Sequence, residues 1–228
     1  MPREFEIRRE VALPATPEQV WAAISTPDGL AGWFMPMDVR ADTTVEVDRA
    51  PERLKCRAGT DAFEYVIEGR DGTTVLRFVH SGVLGDEWDD EFEGMTALGW
   101  SMYLHSLGQY LRYFAGRAAL YAEVDAEMDA AADPAVWPCI RAALDVAAVG
   151  DPVRLELAGR VLEGEIDYLT DRYVGLRTAD ALVRFHERSA IGLPVAVGHH
   201  HFGPGETAGA LTEAWRAWLA AVAREDHP

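Results

Sequence analysis

Two stretches of this chain, more than a hundred residues apart, carry the same local instructions, and that repetition limits the possible folds more than any single motif. From Phe5 to Leu13 the residues Phe5, Ile7, Val11 and Leu13 share one side of a period-two pattern, with Glu6, Arg8 and Glu10 on the other. This is the pattern of a strand covered on one face. It runs into Thr16-Pro17-Glu18-Gln19-Val20-Trp21, where Thr16 can cap a helix, Pro17 suits the first turn because no hydrogen bond is lost there, and Gln19 completes a capping box. Val20, Trp21 and Ile24 supply the buried stripe. The same order returns at Leu120, Ala122, Val124, Ala126 and Met128, alternating with Tyr121, Glu123, Asp125 and Glu127. Asp133 follows as cap and Pro134 as helix start, with Val136, Trp137 and Ile140 as the stripe. The offset is 117 residues from Pro17 to Pro134 and 116 from Trp21 to Trp137.

The ends repeat as well. Trp100, Tyr103, Leu104, Leu107, Leu111 and Phe114 have the spacing of a long amphipathic helix, and Leu211, Trp215, Trp218, Leu219 and Val222 give a second. Trp100 and Trp215 are 115 residues apart, so starts and ends agree within two residues, which reads as a duplication. Between them lie short alternating runs. In the first half these are Leu54/Cys56/Ala58, Phe63/Tyr65/Ile67 and Leu76/Phe78/His80; in the second, 153–158, 161–168, 173–177, 181–188 and 195–202, with Gly159-Arg160 and Thr170-Asp171 as turns. Each half therefore reads as strand, helix, antiparallel strands, long helix. The expected units are 1–117 and 119–228, with long helices at 95–116 and 206–224. Two domains of about 110 residues are within the usual size range, and 49% hydrophobic residues suffice for two cores.

Charge narrows the function. The net charge is −17, divided as −8 before residue 119 (12 basic, 20 acidic) and −9 after it (9 basic, 18 acidic). Either half would repel a nucleic-acid backbone or an anionic membrane, so neither is an expected partner. Lys55 is the only lysine, which excludes P-loop chemistry. Cys56 and Cys139 are too few for a disulfide framework or thiolate metal site. The charged N-terminus has no apolar signal core, and no apolar run reaches membrane-spanning length. The expectation is a cytoplasmic protein with no cofactor.

The order of elements resembles the helix-grip fold (START-like, birch-pollen-allergen-like), an α+β architecture in which an antiparallel sheet wraps a long C-terminal helix. More specifically, residues 4–116 resemble the branch of the SRPBCC superfamily named for activators of the heat-shock-protein-90 ATPase. The residues that carry this are Ile7-Arg8-Arg9-Glu10-Val11, Pro17-Glu18-Gln19-Val20-Trp21, Trp33-Phe34 after a Pro27-Asp28-Gly29-Leu30 turn, the strand Val75–His80 ending in Ser81-Gly82, and Gly99-Trp100. None is catalytic. Residues 38–50 scarcely show the family's glycine-rich hairpin, and the second half lacks a Trp-Phe pair. The resemblance implies a noncatalytic protein holding an apolar or amphipathic small molecule between sheet and helix. Its alternatives are a module that stimulates a chaperone-type ATPase through a protein partner, and an aromatase/cyclase-type enzyme acting on a polyketide.

The expected ligand-binding residues are Trp33, Phe34, Tyr65, Phe78, His80, Trp88, Trp100, Tyr103 and Leu107, all in the first half, since aromatic rings give a broad apolar wall with a few orienting polar groups. The same residues also read as core. Trp33-Phe34 could close a cavity, whereas 145–150 offers only Val146, Ala147, Ala148 and Val149, so the second half is expected to have lost such a lid. An enzyme would have to use His80, Tyr65 or Glu64 as acid or base. His199 and His201 alternate onto one side of a strand and could bind a metal with His186, though no metal-site motif accompanies them. The run 86–93 holds six acids in eight residues without calcium-loop spacing, and it suits the start of a helix.

Overall fold

The computed structural model describes residues 3–70, 73–84, 90–126 and 136–224. The chain divides into two compact units, Met1–Ala118 and Ala119–Pro228.

The first unit runs β1 (Arg3–Leu13), α1 (Pro17–Ser25), α2 (Pro27–Ala31), α3 (Val39–Asp42), β2 (Thr44–Arg49), β3 (Arg53–Ala58), β4 (Asp61–Arg70), β5 (Thr73–Leu84) and α4 (Asp90–Tyr113). Its antiparallel sheet has the order β1-β5-β4-β3-β2. The capping box forms as the sequence indicates: Gln19 N–H donates to Thr16 Oγ1 at 3.3 Å and Thr16 N–H to Gln19 Oε1 at 2.9 Å. Residues 27–30 make a short helix rather than a turn. Thr26 Oγ1 accepts from Gly29 N–H at 3.1 Å while Pro27 starts the helix, the same cap-plus-proline device one element later.

The edge strand β2 was not expected. It is six residues long and mostly exposed, so it lacks the buried face that marks a strand in sequence. The helix α4 spans residues 90–113 instead of 95–116, and the chain leaves it through Gly116 at φ 78°. Of the acidic run, residues 86–89, Trp88 among them, lie outside the described residues; Glu93 pairs with Arg3 at 3.3 Å. Arg9 ties β1 to α4 through Ser101 Oγ (3.0 Å) and Ala97 O (2.9 Å).

The second unit runs β6 (Leu120–Asp125), α5 (Val136–Leu144), β7 (Pro152–Leu157), β8 (Arg160–Leu169), β9 (Tyr173–Thr178), β10 (Ala181–His186), a 3₁₀ turn at Ser189–Ile191, β11 (Ala196–His201) and α6 (Ala208–Val222). The sheet order is β6-β11-β10-β9-β8-β7. Asp133 and Pro134 lie outside the described residues. Its core joins Val136, Trp137 and Ile140 of α5 with Trp215 and Leu219 of α6 against Val183, Phe185 and Val197 of the sheet. The β7–β8 turn uses Ala158 and Gly159, at φ 49° and 79°, one residue before the turn expected at Gly159-Arg160, because both central residues of this tight hairpin must be left-handed. No helix among the described residues is long and apolar enough to cross a membrane.

Candidate functional site

Most of the expected first-unit residues meet in one aromatic cluster. Phe34 stacks on Trp100 at 5.4 Å and meets Tyr103 edge-on at 4.8 Å, Phe78 lies 4.2 Å from Trp100, and Tyr65 lies 5.1 Å from Phe78. Trp33 packs beside Phe34 at 5.6 Å. It is fully buried, with its indole N–H donated to Ala23 O at 2.9 Å, so its polar handle is spent on the backbone. Leu107 is also fully buried. Burial pushes the Tyr65 phenol well above its ordinary range.

His80 sits at the edge of this cluster, and both of its ring nitrogens are engaged. Trp100 Nε1–H donates to Nδ1 at 2.9 Å. An Nδ1 that accepts leaves the neutral ring's proton on Nε2, and Nε2 lies 2.9 Å from Asp61 Oδ1. Burial lowers the His80 pKa, with Asp61 opposing the shift. Glu64, on the alternate face of β4, holds Arg53 at 2.6 Å, so the three acid/base candidates do not converge.

Close approach of Asp61 depends on Gly82, because a Cβ there would lie 2.6 Å from Asp61 Oδ1 and 2.8 Å from Phe5 Cε1. The Phe5 ring is packed edge-on against His80 at 4.9 Å, whereas the Asp61 side chain is 39% exposed and can swing toward solvent, so the carboxylate gives way. Gly82→Ala is therefore expected to break the Asp61–His80 bond, destabilise the first unit by about 1–2 kcal/mol and lower the His80 pKa further. Urea unfolding and an NMR titration of His80 measure both; an unchanged titration would mean Asp61 does not support the ring.

The second unit repeats this pair. Trp215 Nε1–H donates to His199 Nδ1 at 2.9 Å. The registers correspond: His80 pairs with Ile7 of β1 and Phe63 of β4, and His199 pairs with Ala122 of β6 and Val183 of β10. Asp61 lies two residues before Phe63, and the residue two before Val183 is Ala181. The carboxylate that satisfies His80 thus has no counterpart at that position, and His199 Nε2 is buried with no hydrogen-bond partner among the described residues. His199 is 1% exposed, and burial, then the neighbouring His201 and His200, push its pKa down to about 3. It is a neutral ring presenting an N–H.

His199 lines a cleft of about 290 Å³ between the β7–β8 hairpin, β11 and α6. Leu157, Leu162, Leu211 and Ala214 are among its apolar lining residues, and Arg160, His201, Glu206 and Glu213 line it as well. Glu206 Oε1 is ion-paired to Arg160, while Oε2 is buried and unpartnered. The three-histidine metal grouping does not assemble. His199 and His201 share a face, with ring centroids 5.7 Å apart, but His186 is in register with Ala196, and period-two alternation puts it on the opposite face.

Each unit has the α+β arrangement of the helix-grip fold, one antiparallel sheet followed by a C-terminal helix. No family model and no curated protein matches the chain. Similar solved structures include the Aha1 dimer from Colwellia psychrerythraea, 21% identical over 47% of this chain and 96% of its own, with a TM-score of 0.41. An AHSA1-like protein from Rhizobium etli is 22% identical over 50% of this chain and 84% of its own, with a TM-score of 0.40. DynU16, from the dynemicin biosynthetic locus, is 16% identical over 96% of this chain and 98% of its own, with a TM-score of 0.41.

Sequence reasoning missed Asp61, Glu206 and the cleft-forming alanines of α6. One signal was available: in both halves a strand histidine precedes the helix tryptophan, by 20 residues for His80 and Trp100 and by 16 for His199 and Trp215.

Proposed function

We propose that the chain is a tandem pair of diverged copies of one small-molecule-binding scaffold, and that an amphipathic ligand is held between sheet and C-terminal helix of the second unit. The observation that carries this reading is the apolar cleft beside α6 with the buried imidazole of His199 at its wall. A concave, mostly apolar site with a few convergent polar groups is the usual form of a small-molecule pocket. The duplication rests on the recurring tryptophan-to-histidine bond at corresponding registers.

N-phenyl-1-naphthylamine, a neutral apolar fluorophore, tests the location. Ala214 borders the cleft, so Ala214→Phe fills it and is expected to weaken probe binding by about tenfold or more, since a blocked pocket forfeits the apolar burial that drives uptake. Tyr103→Ala should leave binding unchanged. The opposite result, in correctly folded variants, would return the site to the aromatic cluster of the first unit.

A further inference from the structure

The cleft of the second unit carries its own statement of what it binds. We infer that this cleft recognises an uncharged hydroxyl group on an aliphatic ligand, which accepts a hydrogen bond from His199 Nε2–H and donates one to Glu206 Oε2. This deepens the proposed function and rests on the cleft being the binding site.

The geometry sets both halves of that requirement. Trp215 Nε1–H occupies His199 Nδ1 at 2.9 Å, so the proton of the neutral ring is on Nε2, and Nε2 can only donate. The ring is 1% exposed and Nε2 has no hydrogen-bond partner among the described residues; a buried donor left unpaired is costly, and a ligand acceptor recovers that cost. Glu206 is the complementary group. Arg160 engages Oε1 and Oε2 remains a buried acceptor without a partner.

Charge then selects among head groups. A carboxylate would accept from His199 but would bring a second negative charge beside Glu206, whose own charge is already met by Arg160. An ammonium could donate to Glu206 but leaves the His199 N–H without an acceptor. An ether accepts and cannot donate. A hydroxyl satisfies both protein groups and adds no charge to a low-dielectric site, where an unbalanced ion is penalised. The rest of the lining is Leu157, Leu162, Leu211 and four alanines, with His201 and Glu213; it holds no Phe, Tyr or Trp, and the aliphatic part suits an alkyl body.

Four probes of similar length separate the possibilities: 1-octanol, its isomer heptyl methyl ether, octanoate and octylammonium, each titrated into the ¹⁵N-labelled full chain and followed by NMR. The expected result is that 1-octanol binds at least about tenfold more tightly than each of the others, the scale of one buried hydrogen bond or charge mismatch, and shifts the His199 Nε2 resonance. His199→Phe should abolish the preference for octanol over the ether. Glu206→Gln, which removes the charge and keeps an acceptor, should raise octanoate affinity and serves as the control should His199→Phe fail to fold. Equal affinities for all four probes would overturn the hydroxyl assignment while leaving the binding reading intact. If none of the four binds, both fall.

Discussion

Replacing Arg184 with alanine is expected to cost the second unit about 3–5 kcal/mol, the penalty for stranding one member of a buried ion pair. Arg184 Nη1 and Nη2 donate to Asp167 Oδ1 and Oδ2 at 2.9 and 2.8 Å, and the two side chains are 1% and 3% exposed. The pair crosses over β9. Arg184 is opposite Gly175, and a bulge between Ile166 and Tyr168 re-aims Asp167 toward the same glycine. A Cβ at Gly175 would sit 2.7 Å from both Arg184 Nη1 and Asp167 Oδ1, so Gly175→Ala should destabilise by a comparable amount. The double replacement Arg184→Met with Asp167→Leu should recover most of the loss, because it removes both charges and refills the volume. Chemical denaturation followed by hydrogen exchange in second-unit peptides measures this; single and double variants of equal stability would show that the pair is not the source.

Acidification should unfold the second unit before the first. His199 and His186 both have pKa values pushed down to about 3, chiefly by burial. His201 and His200 add to the shift at His199, and Arg188, Arg184 and His200 at His186. In the unfolded chain each imidazole takes up a proton near pH 6.5. Below that pH the unfolded state binds more protons, so stability falls as pH drops from 6.5 toward 3, by up to about 1.4 kcal/mol per pH unit for each ring. His80 has the same sign in the first unit, but Asp61 opposes the shift. Hydrogen exchange at stepped pH from 7 to 4 should show second-unit protection lost first. His199→Phe should flatten the dependence; an unaltered slope in that variant would remove His199 from the account.

The chain's strands and helices were mostly legible because each advertises itself locally. The alternation of Phe5, Ile7 and Leu13, the capping box at Thr16 and Gln19, and the stripe through Leu211, Trp215 and Leu219 are statements that neighbouring residues make about one another. The exposed edge strand β2 had no buried face to advertise, and the short helix at Pro27–Ala31 resembled a turn because both begin with the same residues.

What the sequence alone determined is therefore the α+β character, most of the order of elements and the recurring pattern that places a tryptophan on each long helix. The tertiary structure alone decided which histidine is satisfied. His80 and His199 look alike in sequence, each on a strand ahead of its tryptophan, and each accepts the same indole hydrogen bond. The difference lies across the sheet, where Asp61 reaches His80 past Gly82 while Ala181 stands at the corresponding place beside His199. A hydrogen bond between strands depends on register and on free space at a third residue. Periodicity along one strand carries no information about either, so the buried N–H of His199 and the cleft this residue lines became visible only when the strands were paired.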